Sequence, residues 1–166
     1  MKSISVMTPI GRLKISEDNG YITQITFNGA KEEFCQHTFP LLEEAKKQLE
    51  EYFDGVRREF CLPLLFEGSD FTKAVLQQLV GVPYGQTVSY GQLAAMAGSP
   101  GAARAVGSVM RKNPFVIVVP CHRVLPADGS IGNYSAGGPA NKDWLLTFEK
   151  QNDGSGLMGI FLGLNC

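Results

Sequence analysis

Tyr21-Ile22-Thr23-Gln24-Ile25-Thr26-Phe27 reads as period-two alternation, the pattern of a strand with one buried face. The same reading gives short strands at 4–8 and 12–16, so three strands are predicted, the last over 21–28 and ending at Asn28-Gly29. Pro9-Ile10-Gly11 and Asp18-Asn19-Gly20 carry hairpin-turn chemistry, which makes the three strands an antiparallel meander. The period then changes. Leu42, Ala45, Leu49, Tyr52 and Phe53 recur at helical spacing and predict a helix over 41–53, closed by Asp54-Gly55. Residues 56–66 read as one more strand. Gly68-Ser69 marks a boundary, with Ser69 placed to cap a helix over 70–80.

The second half has a different character. Val82-Pro83-Tyr84-Gly85 is a turn, and helices are predicted over 90–97, stopped by Gly98-Ser99-Pro100, and over 102–112, stopped by Asn113-Pro114. Two short helices joined by a tight Gly/Pro turn have a helix-turn-helix outline, although ordinary packing also produces such pairs. Residues 115–119 form a buried apolar run. A Gly-containing loop spans 129–138, and a last helix covers 140–150. The tail from Asn152 is Gly-rich and apolar without a clear period, and its apolar residues are expected to pack back on the domain.

Length and composition narrow the class. The 166 residues suffice for one domain or two small ones, and 44% hydrophobic against 19% charged excludes wholesale disorder. No apolar run reaches membrane-spanning length, and the first residues are too broken up for a signal peptide. The net charge of −1 argues, taken whole, against nucleic acid. Splitting the chain changes that inference. Residues 1–68 hold 8 basic and 11 acidic side chains, a net of −3; residues 69–166 hold 7 and 5, a net of +2. Between Asp70 and Asp128 there is no acidic residue, while Lys73, Arg104, Arg111, Lys112 and Arg123 lie there. Such a face suits a phosphate backbone.

The four cysteines are Cys35, Cys61, Cys121 and Cys166, with no CxxC. A reduced, intracellular protein is the expectation. The two histidines, His37 and His122, leave no metal-ligand spacing, so no metal and no cofactor are expected. Cys121 stands apart because it follows Pro120 at the end of the apolar run and precedes His122 and Arg123. A thiol becomes a nucleophile when a cation, a helix N-terminus or a base favours its thiolate. Neighbouring side chains do not normally face each other, so a bridging water is the simple link from Cys121 to His122. A carboxylate would orient the imidazole, and Asp128, Asp143 and Glu149 are the candidates. On spacing alone, a buried structural cysteine beside a core histidine remains the alternative.

Pro120-Cys121-His122-Arg123-Val124 resembles the active-site signature of the O6-alkylguanine-DNA alkyltransferases. Several other segments fall in that family's order. Val82-Pro83-Tyr84-Gly85-Gln86-Thr87-Val88-Ser89-Tyr90 resembles the entry to its helix-turn-helix, and Ala102-Ala103-Arg104-Ala105-Val106-Gly107 resembles its recognition helix. Asn113-Pro114, Gly132-Asn133-Tyr134-Ser135 and Lys142-Asp143-Trp144-Leu145-Leu146 with Glu149 complete the match. The resemblance covers residues 69–150. It implies a small ribonuclease-H-like domain over 1–68, an antiparallel sheet plus helix, followed by a mainly helical alkyltransferase domain over 69–166.

The resemblance also implies the chemistry: a monomer that binds double-stranded DNA in the minor groove and flips the damaged guanine into a pocket. Cys121 takes the O6-alkyl group in a single turnover; O4-alkylthymine is a possible second substrate. His122 removes the thiol proton through a water, Glu149 orients His122, Asn113 braces the network, and Tyr90 donates to the leaving guanine. Arg104 fills the vacated stack. Tyr134, Ser135, Lys142 and Val124 belong to the substrate pocket. Ala102, Ala103, Ala105 and Gly107 permit close approach to the groove, and Arg111 and Arg123 are assigned to DNA. The implied compartment is the cytoplasm of a prokaryote or the nucleus of a eukaryote.

Gly91, Phe115-Val116 and Ala136 depart from residues common in the family, and bear on the range of alkyl groups accepted. The runner-up is a non-catalytic alkyltransferase-like protein that recognises damage without chemistry; the presence of Cys121 argues against it. A helix-turn-helix regulator would need a dimerisation element, and a cysteine hydrolase would need an oxyanion-hole signature. Neither feature is evident.

Overall fold

The structure is a computed structural model that describes residues 2–27, 38–134 and 136–153. The expectations for Cys35, His37, Ser135 and the tail beyond 153 lie outside the described residues. The chain divides into two compact units, one built on Met1–Leu65 and the other on Phe66–Asp153.

In the first unit, β1 (Lys2–Thr8), β2 (Gly11–Asp18) and β3 (Tyr21–Phe27) form an antiparallel sheet in that order. The predicted meander is present. Its register runs Ile4↔Ile15↔Ile25 and Val6↔Leu13↔Phe27. Strict alternation does not survive in β3. Ser16 pairs with Gln24 but Glu17 pairs with Ile22, so Thr23 is an extra residue, a bulge that resets the parity. Ile22 and Ile25 are therefore both fully buried although three positions apart. Helix α1 (Pro40–Phe53) contributes Leu42, Ala45, Leu49 and Tyr52, all fully buried, to the same core.

The strand expected within 56–66 does not form. A single parallel bridge, Ile22↔Leu64, replaces it, with the Ile22 N–H donating to the Pro63 carbonyl at 2.8 Å. Pro63 has no N–H to give to a ladder. A buried side chain takes over part of the backbone pairing instead: Gln48 donates to the Cys61 carbonyl at 3.0 Å and accepts from its N–H at 2.9 Å. Cys61 is disulfide-bonded, against the expectation of reduced thiols. Among the described residues Cys121 is the free cysteine.

The second unit opens with α2 (Asp70–Val80), where the Thr72 N–H donates to the Ser69 hydroxyl at 3.2 Å, the expected cap. The helix-turn-helix follows as α3 (Tyr90–Met96) and α4 (Ala103–Arg111). Ser89 and Gln92 close a reciprocal capping box at 2.8 and 3.0 Å, which fixes where α3 starts and so where Tyr90 sits. A two-residue strand, β4 (Val88–Ser89), pairs in parallel with β5 (Val124–Leu125). That pairing brings the entry to α3 beside the Cys121 segment, and no local pattern announces it. Helix α5 (Pro139–Asn152) closes the unit.

Candidate active site

Residues 115–119 are buried, as expected of an apolar run, but they turn rather than extend. Val118 N–H donates to the Val116 carbonyl and Val119 N–H to the Phe115 carbonyl, both at 2.9 Å. Ile117 takes φ 73°, an uncommon conformation for a β-branched residue. The turn delivers Cys121 to the start of a 3₁₀ turn, Cys121–Arg123. Asn113 stabilises the approach: its amide donates to the Val119 carbonyl at 2.9 Å and accepts from the Phe115 N–H at 2.9 Å.

Cys121 is buried but opens on a cavity of about 520 Å³. Tyr90, Ala103, Arg104, Gly107, Met110, Arg111, Gly132 and Tyr134 also line it. Side chains of α4 and the cysteine thus share one concave surface. Burial pushes the Cys121 thiol pKa up, while the Asn113 side chain and the Lys142 ammonium pull it back. Lys142 is itself fully buried, with Nζ donating to the Asn133 carbonyl at 3.3 Å and lying 5.9 Å from the Tyr90 ring centre. Burial and the nearby Cys121 raise the Tyr90 phenol, so it stays a proton donor. Burial likewise raises Tyr134, whose hydroxyl has no hydrogen-bond partner among the described residues.

Of the three candidate carboxylates the fold selects Glu149. Asp128 accepts from the Ser130 N–H in an exposed loop, and Asp143 is exposed on α5. His122 Nε2 lies 2.6 Å from Glu149 Oε2, with both side chains at most 1% exposed. The other ring nitrogen, Nδ1, is buried and has no hydrogen-bond partner among the described residues. Burial lowers the His122 pKa; Glu149 opposes this, and Arg123 and Lys142 add to it. The resulting neutral imidazole donates Nε2–H to the carboxylate and keeps Nδ1 as an acceptor. Burial would raise Glu149, but the hydrogen bond from His122 and the pair with Arg123 hold it well below the usual carboxylate range.

Two assignments need correction. Arg123, expected on the DNA face, is 5% exposed and forks onto Glu149 at 2.8 and 3.0 Å. A guanidinium committed to a buried carboxylate is not available to phosphate. Val124, expected in the substrate pocket, is fully buried in β5 opposite Val88 and does not line the cavity. Arg104, Ala105 and Arg111 are exposed, and Ala102, Ala103 and Gly107 half-exposed, along α4. Sequence reasoning missed the Val82–Gly85 turn as part of the site. The Val82 carbonyl accepts from Arg123 at 2.8 Å and the Gly85 N–H donates to Glu149 at 3.2 Å. No group of three potential metal ligands occurs among the described residues.

Residues 70–151 match the DNA-binding domain of 6-O-methylguanine DNA methyltransferase, and residues 1–66 match its ribonuclease-like domain. The chain belongs to this family. It is 40% identical over 151 residues to the constitutive methylated-DNA–protein-cysteine methyltransferase of Bacillus subtilis, covering 86% of this chain and 92% of that one. It is 48% identical over 127 residues to the methylated-DNA–protein-cysteine methyltransferase of Mus musculus, covering 69% of this chain and 60% of the mouse protein. Mycobacterium tuberculosis OGT, solved in complex with DNA, superposes with a TM-score of 0.80 at 36% identity, over 95% of this chain and 97% of that one. The two-part fold expected from the resemblance is present. The family's activity is DNA repair by transfer of the alkyl group from O6-alkylguanine to a cysteine of the protein itself. The non-catalytic alternative is not favoured, since a free cysteine, Cys121, lines the cavity.

Proposed function

We propose that Cys121 is the acceptor and that each chain reacts once. The observation that carries this reading is the free Cys121 on the cavity wall, backed by the buried His122–Glu149 pair. His122 Nδ1 takes the thiol proton through a water. The thiolate attacks the alkyl carbon in line, the S–C bond forms as the C–O6 bond breaks, and the electron pair leaves on the guanine. Tyr90 donates its proton to that anion, which otherwise leaves poorly. Asn113 and Lys142 support the thiolate, and Tyr134 and Ser135 close over the base.

Binding is proposed to be to duplex DNA through the minor groove by a monomer, with the damaged base flipped into the cavity. The exposed Arg104 at the rim fits a finger that fills the vacated stack, and Arg111 beside it fits a phosphate contact. The small residues Ala102, Ala103, Ala105 and Gly107 fit close approach to a narrow groove. O4-alkylthymine is a second candidate substrate. No helix among the described residues is long and apolar enough to cross a membrane. The proposed compartment is the one that holds the DNA, cytoplasm in a prokaryote and nucleus in a eukaryote.

Peptide mass analysis after mixing with an O6-methylguanine duplex tests the reading. One methyl group per chain, on the peptide carrying Cys121, is expected. Label on Cys35, Cys61 or Cys166, or several turnovers per chain, overturns it.

A further inference from the structure

Arg123 makes three hydrogen bonds in the interior. Nε donates to Glu149 Oε1 at 2.8 Å, Nη2 to Glu149 Oε2 at 3.0 Å and Nη1 to the Val82 carbonyl at 2.8 Å. The Tyr84 ring lies 5.6 Å from the guanidinium carbon, and the Gly85 N–H adds a bond to Glu149 Oε1 at 3.2 Å. The same Oε2 that meets His122 Nε2 is therefore already held by Arg123.

We propose that Arg123 is a positioning residue for alkyl transfer: its fork locks the Glu149 carboxylate so that Glu149 orients His122 without taking its proton or favouring its charged form. This rests on the reading of His122 as the base. A carboxylate whose two oxygens both accept charge-assisted bonds is a weaker proton acceptor than a free one. Its negative charge is also matched locally, so little is left to stabilise an imidazolium. Removing Arg123 would leave Glu149 paired with His122 in a buried site. The ion pair Glu149⁻–His122⁺ would then become favourable, Nδ1 would carry a proton, and the base would be lost near neutral pH.

The other groups facing the pair are Cys121 on the same turn, Tyr134 on the loop before α5, Lys142 on α5 and Tyr84 beyond α2. Cys121 and Tyr134 are neutral at neutral pH, because burial raises both. Lys142 disfavours the imidazolium, as Arg123 does. It remains in place when Arg123 is replaced, so a change seen on that replacement belongs to Arg123. The fork also ties the Val82–Gly85 turn to the carboxylate, which links the entry of the helix-turn-helix to the chemistry.

The test is an NMR titration of the His122 imidazole in the full chain, with His37→Gln used to assign the two histidines. In the wild type His122 is expected to titrate below the ordinary imidazole range, held as the Nε2–H tautomer by its burial. In Arg123→Met its midpoint is expected to rise by about one pH unit or more, and in Arg123→Lys by less, since a point charge replaces the fork. The acid limb of Cys121 alkylation by free O6-benzylguanine moves in the same direction. A folded Arg123→Met whose His122 midpoint is unchanged overturns the proposal. If Arg123→Met does not fold, the wild type decides: the Arg123 Nε–H signal must shift as His122 titrates, and an unresponsive signal overturns the proposal. The titration needs no alkyl transfer. A shifted midpoint without label on Cys121 would therefore support the Arg123 role and reject the acceptor reading separately.

Discussion

The side-chain amide of Asn113 donates to the Val119 carbonyl at 2.9 Å, joining the end of α4 to the turn that delivers Cys121. Asn113 and Val119 are both buried. Asn113→Ala leaves the buried Phe115 N–H without its acceptor and strips one of the two donors from the Val119 carbonyl, which keeps the Cys121 N–H at 2.8 Å, and is expected to cost about 1–3 kcal/mol. It also removes a bond that lowers the Cys121 pKa, so the thiol should titrate higher. Urea unfolding and a thiol-alkylation pH profile measure the two effects. A variant with wild-type values in both would remove Asn113 from the network.

Acid should weaken the fold in two stages. The His122 pKa is lowered from 6.5, so below about that pH the unfolded chain binds a proton the folded chain refuses, and stability falls. Glu149 is held well below its ordinary value near 4.5, so the stability it adds is present above that value and is lost as pH drops further. Denaturant midpoints across this range give the measurement. Flat stability from neutral pH down to the carboxylate range contradicts the His122 shift, and flat stability below the ordinary Glu value near 4.5 contradicts the Glu149 shift.

Arg104 is exposed at the cavity rim, where a side chain that acts on DNA but not on the reacting atoms would sit. Arg104→Ala is expected to slow repair of an O6-methylguanine duplex by about tenfold or more, a loss of roughly 1.4 kcal/mol. Transfer from free O6-benzylguanine should stay near wild type. Single-turnover rates on both substrates decide the matter, and equal losses refute the finger role.

Gly132 lines the cavity at φ 73°, and a Cβ there would lie 2.9 Å from Pro126 Cγ. Gly132→Ala combines backbone strain with a clash against a rigid ring, for a cost of roughly 1–3 kcal/mol. Slower transfer and a lower unfolding midpoint should appear together. A variant as stable and as fast as the wild type would mean the loop relaxes freely.

Local features were legible where one element suffices to state them. Ser69 before an apolar-periodic stretch predicts the start of α2, and Ser89 with Gln92 fixes the start of α3 by bonds within four residues. The failure at 56–66 is of another kind: the segment has strand-like residues, but Pro63 and the distant Gln48 decide its pairing. Ile22 and Ile25 show how one extra residue, Thr23, overrides a parity argument.

By itself the sequence determined the three-stranded meander, the helices that follow it, the uneven charge between the halves and the cysteine worth examining. The motif at 120–124 with its companions pointed to the family. Tertiary structure decided which carboxylate meets His122, because Asp128, Asp143 and Glu149 are equivalent as residue types and differ only in burial and direction. It also decided the place of Arg123. A basic residue next to a catalytic motif reads as a DNA contact, yet here the fork is turned inward to Glu149 and Val82, 26 and 41 positions away. A buried charge must find its partner across the fold, and chain spacing carries no record of that distance.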